Sequence, residues 1–168
     1  MVDLDEQVQQ QWGQVQNVYQ RRSDLIPNLV ASVKGAAKQE QETLTRVIEA
    51  RSKATSIKVD PDKLTPENIQ KFQQTQGELS AALGRLMVLT ENYPDLKTNQ
   101  NFLELQAQLE GTENRITVER QKFNEVTQQY NSTVRRFPNN IFAGMFGFEK
   151  KGYFEAEAGA QKAPQVQF

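Results

Sequence analysis

The chain has 168 residues and a formal net charge of −1, from 20 basic and 21 acidic residues, which suits a single domain with a buried core. It contains no cysteine and no histidine, so disulfides, thiolate zinc sites and histidine-based acid–base catalysis are excluded. The near balance of charges gives no basic footprint, and we expect no nucleic-acid partner.

Glutamine supplies 22 residues, while only 37% of the chain is hydrophobic. Such a composition suits long helices with narrow apolar stripes better than sheets or a thick mixed core. No stretch of about 18 apolar residues occurs, so the sequence predicts no membrane-spanning segment within the chain.

The first predicted helix covers residues 4–22, where apolar residues recur every three or four positions around Trp12. Pro27 follows within an otherwise helical pattern. Because proline lacks an N–H and removes a backbone hydrogen bond, we expect a break or sharp kink near residues 23–27, with a second helix over residues 25–54. One continuous helix kinked at Pro27 is the alternative.

The third helix is predicted over residues 66–92, with Thr65 as its N-cap and Pro66 in its first position. The fourth covers residues 98–136, and its apolar stripe continues for about five heptads. Glu119 lies on this stripe, and we expect it to pair with an arginine or to occupy a wet part of the seam.

These patterns predict an all-α fold, an antiparallel four-helix bundle over residues 1–136 with coiled-coil character. Residues 137–168 are predicted to form a short apolar helical turn and an extended tail, packed on the bundle or partly free. Pro138 can begin the turn and Gly147 can end it.

Large apolar residues are dense after the fourth helix. They either close the end of the bundle or contact lipid or protein, and Lys150 and Lys151 beside them would suit an anionic surface. The apolar residues are Ile141, Phe142, Met145, Phe146, Phe148, Tyr153 and Phe154.

Four motifs, in order, resemble the LemA family of bacterial proteins and together cover nearly the whole chain. They lie at residues 21–35, 47–51, 101–116 and 130–154, and read RRSDLIPNLV followed by VKG, then VIEAR, then NFLELQ with LEGTENRI, then YN through FPN to FGF and YF.

The resemblance implies a four-helix bundle carried behind a single N-terminal membrane-spanning helix, with no agreed enzymatic activity. By this resemblance the full-length protein is a single-pass bacterial membrane protein, and the present chain, which opens directly into helical periodicity at Met1, lacks the anchor. We therefore expect a non-enzymatic interaction or scaffold module that binds protein partners and has no small-molecule substrate.

Candidate interaction residues fall into three groups. The joint between the first two predicted helices could form a partner site or an ordinary solvated helix end; it comprises Arg21, Arg22, Asp24, Pro27 and Asn28. The apolar segment contributes Phe137, Pro138, Asn139, Phe142, Phe146 and Phe154. The C-terminal Val166 and Phe168 could add as a strand to a peptide-binding or protease-associated domain, or fold back on the chain.

An enzyme is the remaining alternative. Serine nucleophiles have no histidine partner, and the glycines at residues 144 and 147 do not lie between a strand and a helix as a phosphate loop requires. No Glu-x-x-His pair exists for a di-metal centre. We expect no catalytic residue, no metal and no cofactor.

Overall fold

The computed structural model describes residues 1–155, which form six helices and no strand. The helices are α1 (Val2–Ala36), α2 (Gln41–Ser56), α3 (Pro66–Thr90), α4 (Pro94–Lys97), α5 (Gln100–Arg135) and α6 (Asn139–Phe146). The predicted all-α class is confirmed. Helices α3 and α5 start within two residues of their predicted positions, because Thr65 and Asn99 each accept a capping hydrogen bond from the backbone.

The long helices alternate in direction. α1 packs along α5, and α2 packs along α3. Gln11 of α1 bonds Glu119 of α5, while Arg22 bonds Glu113, so higher numbers on one helix meet lower numbers on the other. α2 and α3 are likewise antiparallel.

The buried apolar residues divide into two clusters along α1. The first cluster reaches Tyr19, and the second begins at Ile26. Arg22 and Ser23 lie between them, and both are buried. A polar layer therefore separates the two parts of the core.

The expected break near residues 23–27, with a second helix over residues 25–54, is wrong. The alternative of one continuous helix holds only as far as Ala36: α1 passes through Pro27, but the chain turns at residues 37–40 and the two helices are separate. Helix α2 begins only after this turn.

The helix survives Pro27 because another helix supplies the missing hydrogen bond. Pro27 has no N–H to donate to the carbonyl of Ser23, four residues earlier, and Ser23 is buried. Arg51 of α2 donates its Nε–H to that carbonyl at 2.8 Å. Helical continuation also keeps Ile26 and Leu29 on the buried stripe.

We expect Arg51→Ala to lower the free energy of unfolding by about 1–3 kcal/mol, because it leaves the Ser23 carbonyl without a donor. In a Pro27→Ala background the alanine N–H restores the helical bond, so the same substitution should cost less. Urea unfolding of the four proteins at pH 7 measures the difference.

Arg46→Ala is the control, because it removes an exposed arginine from the same helix. It should change stability by less than about 0.5 kcal/mol. An equal cost of Arg51→Ala in both backgrounds would show that the carbonyl of Ser23 does not need this donor.

Candidate functional site

Arg22, predicted within a joint on the surface, has a side chain that is only 1% exposed. Its Nη1 donates to Ser80 Oγ at 2.6 Å and to Glu113 Oε1 at 3.1 Å. Its Nη2 donates to the backbone and side-chain oxygens of Gln76 at 3.0 and 2.8 Å. The guanidinium carbon lies 5.2 Å from the ring centroid of Tyr19. Arg22 therefore joins α1 to α3 and α5 from inside the fold.

The other joint residues are exposed, and they are Arg21, Asp24, Pro27 and Asn28. Asp24 accepts a hydrogen bond from Gln20 at 2.9 Å. Arg21 and Asp24 line a shallow groove between α1 and α5 together with Arg115. The predicted cluster is thus split, with Arg22 in the interior and its neighbours on the surface.

Glu119 is buried on the stripe of α5 and is paired, as expected. It accepts a hydrogen bond from Gln11 Nε2 at 2.6 Å and forms an ion pair with Arg115 at 3.6 Å. Within residues 1–155, no group of three or more acidic side chains is placed to hold a metal ion.

Five large apolar side chains at α6 are exposed, and we term them the apolar face: Phe137, Ile141, Phe142, Met145 and Phe146. Their exposed fractions run from 48% for Phe142 to 78% for Phe137. Among the eight residues of α6, Ala143 is the buried one. The apolar segment therefore closes the core only in part.

The ends of α6 agree with the prediction. Pro138 precedes its first residue, Asn139, and Gly147 ends it with a left-handed φ of 75°. The N–H of Phe148 then donates to the carbonyl of Ala143 at 2.9 Å, a bond typical of helix termination at glycine.

The apolar face lies at the end of the molecule where α1 begins. α6 packs on α5, and Ala143 shares a core cluster with Val8 and Val134. Met1 and Leu4 pack against the same cluster. Any segment joined to the start of α1 would therefore emerge beside this face.

Residues 149–155 form an extended segment, the strap, which lies between α3 and α5. Three side-chain amides each bond both backbone groups of one strap residue, as a neighbouring strand would. The pairs are Asn131 with Lys151 (2.9 and 3.0 Å), Asn124 with Phe154 (2.8 and 2.9 Å) and Gln73 with Glu155 (2.9 and 2.5 Å).

Three strap positions are specified by their side chains. Lys151 is buried, and its Nζ lies 2.8 Å from Asp5 Oδ1 and 4.8 Å from the ring centroid of Tyr130. Phe154 is buried, and its ring centroid lies 5.4, 6.1 and 6.2 Å from those of Phe123, Trp12 and Phe72. Gly152 has no room for a side chain, because a Cβ there would lie 2.8 Å from the Cα of Pro66. Phe154, a predicted interaction residue, is therefore part of the core.

The amides that hold the strap are not among the predicted residues. Asn124 and Asn131 are seven residues apart on α5, so they lie on one helix face, and this spacing is the signal that could have found them. The predicted residues Val166 and Phe168 lie outside the described residues, so a role for the C-terminus stays a prediction.

Three tyrosines have raised pKa values. Burial raises the pKa of Tyr130 to about 12, and its hydroxyl donates to the carbonyl of Glu149 in the strap at 2.9 Å. Burial also raises the pKa of Tyr19. A hydrogen bond to Glu40 raises the pKa of Tyr93.

Comparison with known proteins shows one family and several named relatives. The sequence profile of the LemA family matches residues 11–168. Protein LemA of Metamycoplasma hominis is 25% identical over 142 residues, which cover 84% of this chain and 61% of the relative.

Two magnetosome proteins are also similar. Magnetosome protein MamQ 2 of Paramagnetospirillum magneticum is 25% identical over 171 residues, covering 92% of this chain and 63% of the relative. Magnetosome protein MamQ of Magnetospirillum gryphiswaldense is 26% identical over 170 residues, covering 91% of this chain and 62% of the relative. The chain thus spans less than two thirds of these relatives. Across the described residues, none of the helices has the length and apolarity to cross a membrane.

We expect Arg22→Lys to lower the free energy of unfolding by roughly 2–4 kcal/mol, because an ammonium cannot reach the oxygens of Ser80, Gln76 and Glu113 together. Arg21→Lys makes the same change at an exposed position and should stay within about 0.5 kcal/mol of wild type. Urea unfolding at pH 7 measures both. Similar effects of the two substitutions would contradict the role of Arg22 in joining the helices.

Tyr130→Phe should lower stability by about 1 kcal/mol at pH 7, because the bond to the strap is lost. The difference should shrink as pH rises from about 10 to about 12. Over that range the unfolded tyrosine ionises while the folded one stays protonated, so the wild type alone loses this contribution. Urea unfolding at several pH values tests it; a difference that does not change with pH would show that this hydroxyl titrates normally.

Proposed function

The chain belongs to the LemA family, and from this premise we propose that it is the non-enzymatic interaction domain of a membrane-anchored bacterial protein. The names of its relatives, LemA and magnetosome protein, state no reaction. The observation that carries the proposal is the apolar face, which is the surface we assign to interaction.

The apolar face is not exposed because the core lacks room for apolar residues of this segment. Phe154 comes eight residues after Phe146 and is fully packed, and the strap that carries it is held by three amides. The same segment therefore packs some of its residues against the core and leaves others exposed to solvent. Contiguous exposed apolar residues of this size are typical of contact surfaces in soluble domains.

We further propose that the four long helices form an antiparallel four-helix bundle and that an N-terminal membrane-spanning helix anchors the full-length protein. The alternating directions of α1, α2, α3 and α5 support the bundle. The anchor is what the family resemblance implies, and it would place the apolar face next to the membrane because α6 lies where α1 begins.

The proposal predicts that the apolar face is covered in the native membrane. Because the chain has no cysteine, Met145→Cys introduces a unique thiol into this face. In membranes containing the natural protein, this thiol should react with a water-soluble maleimide at least about tenfold more slowly than in the purified chain.

Val88→Cys is the matched control. Val88 is 66% exposed, against 72% for Met145, and it lies near the end of α3, beside the second core cluster and away from α6. Its thiol should react equally fast in both settings. Equal reactivity of Met145→Cys in membranes and in solution would show that nothing covers the face, and the proposed function would fail.

A further inference from the structure

We infer that the apolar face docks on the surface of an anionic lipid bilayer, with neighbouring cations at the level of the headgroups. This inference rests on the proposed function and names the partner of the same surface.

The charges next to the apolar face favour an anionic surface. Exposed Arg135 and Arg136 come directly before it, and exposed Lys150 comes shortly after it. Glu149 is the one carboxylate in residues 135–150, so this segment carries three positive charges and one negative charge, a net +2. Exposed large apolar residues beside arginine and lysine are typical of segments that lie in the membrane interface.

The backbone of α6 suits a medium with little water. The N–H groups of Asn140 and Ile141 donate to the carbonyls of Arg136 and Pro138, which precede the helix, and Pro138 itself has no N–H to leave unpaired. At the other end, the carbonyl of Ala143 accepts from the N–H groups of Gly147 and Phe148. The side chains of the face can therefore enter the interface with fewer unpaired backbone groups than an uncapped helix would carry.

Three further carboxylates oppose the attraction. Asp3 and Glu6 are exposed on the first turns of α1, at the same end of the molecule, and exposed Asp62 lines the same groove as Phe146 and Lys150. The apolar side chains must therefore supply most of the binding free energy, and the cations supply the preference for anionic lipid. These two contributions are separable by mutation.

Flotation with vesicles tests the inference on the full 168-residue chain. Vesicles of equal parts phosphatidylglycerol and phosphatidylcholine should bind the chain, and phosphatidylcholine vesicles should bind it more weakly. Phe142→Ser with Phe146→Ser should weaken partition at least about tenfold. Replacing each of Arg135, Arg136 and Lys150 by glutamine should weaken it by roughly fivefold per cation on anionic vesicles only. Val88→Ser is the control and should bind as wild type does.

A tethered measurement covers the case in which the free chain binds too weakly to float. The chain is attached through its N terminus to a lipid headgroup, and an environment-sensitive fluorophore is placed at Met145→Cys or, as control, at Val88→Cys. We expect a blue shift on anionic vesicles at the first position only. No shift, or the same shift at both positions, overturns the inference.

The two proposals fail in different ways. Protection of the thiol of Met145→Cys in native membranes, with no vesicle binding and no blue shift, would mean that a protein covers the face; the lipid inference falls and the interaction domain stands. Equal reactivity of this thiol in native membranes and in solution would overturn both proposals. Vesicle binding that is unchanged by Phe142→Ser with Phe146→Ser overturns the lipid inference alone.

Discussion

A single polar layer in the middle of the core connects all four long helices. On α1 it consists of the side chain of Arg22 and the carbonyl of Ser23. The guanidinium bonds α3 and α5, and the carbonyl accepts from Arg51 on α2. A buried guanidinium is costly to desolvate unless most of its donors are paired. Sliding of α3 along α1 would lose its three bonds to Arg22 together, and sliding of α5 would lose the ion pair with Glu113. The layer therefore sets how the helices align.

This layer also separates the part of the molecule whose core is enclosed by helices from the part where the apolar face is exposed. The second core cluster lies beyond Ile26 and is enclosed by the long helices. The first cluster is completed by the strap and by Ala143 of α6, and it is here that the apolar face is exposed. Alignment of the helices by Arg22 thus positions the groove that receives the strap, and the strap is the part of the chain that follows α6.

The sequence correctly predicted the helix ends that depend on neighbouring residues. It failed where the local structure depends on a residue far away in the chain. The start of α3 followed from Thr65 and Pro66, and the end of α6 from Gly147. The break at Pro27 was wrong because the donor that satisfies Ser23 is Arg51, which is 28 positions away in the chain. Arg22 could have been placed inside, since it is three residues after Tyr19 and four before Ile26 on the buried stripe. The division of the apolar segment between core and surface could not, because amides on α3 and α5 determine which residues of that segment are held.

The strap shows how a segment can be held largely through its main chain. Its bonds to Gln73, Asn124 and Asn131 all use main-chain atoms, so they make no demand on the side chains of the residues they hold. The restricted strap residues are Gly152, for lack of space, Phe154, for its ring contacts, and Lys151, for its ion pair with Asp5. Distantly related chains can therefore keep this segment in place while most of its residues differ, provided that the helices retain amides able to both donate and accept. In such a fold, the residues most needed to hold the strap are the amides on the helices, and most residues of the strap itself can vary.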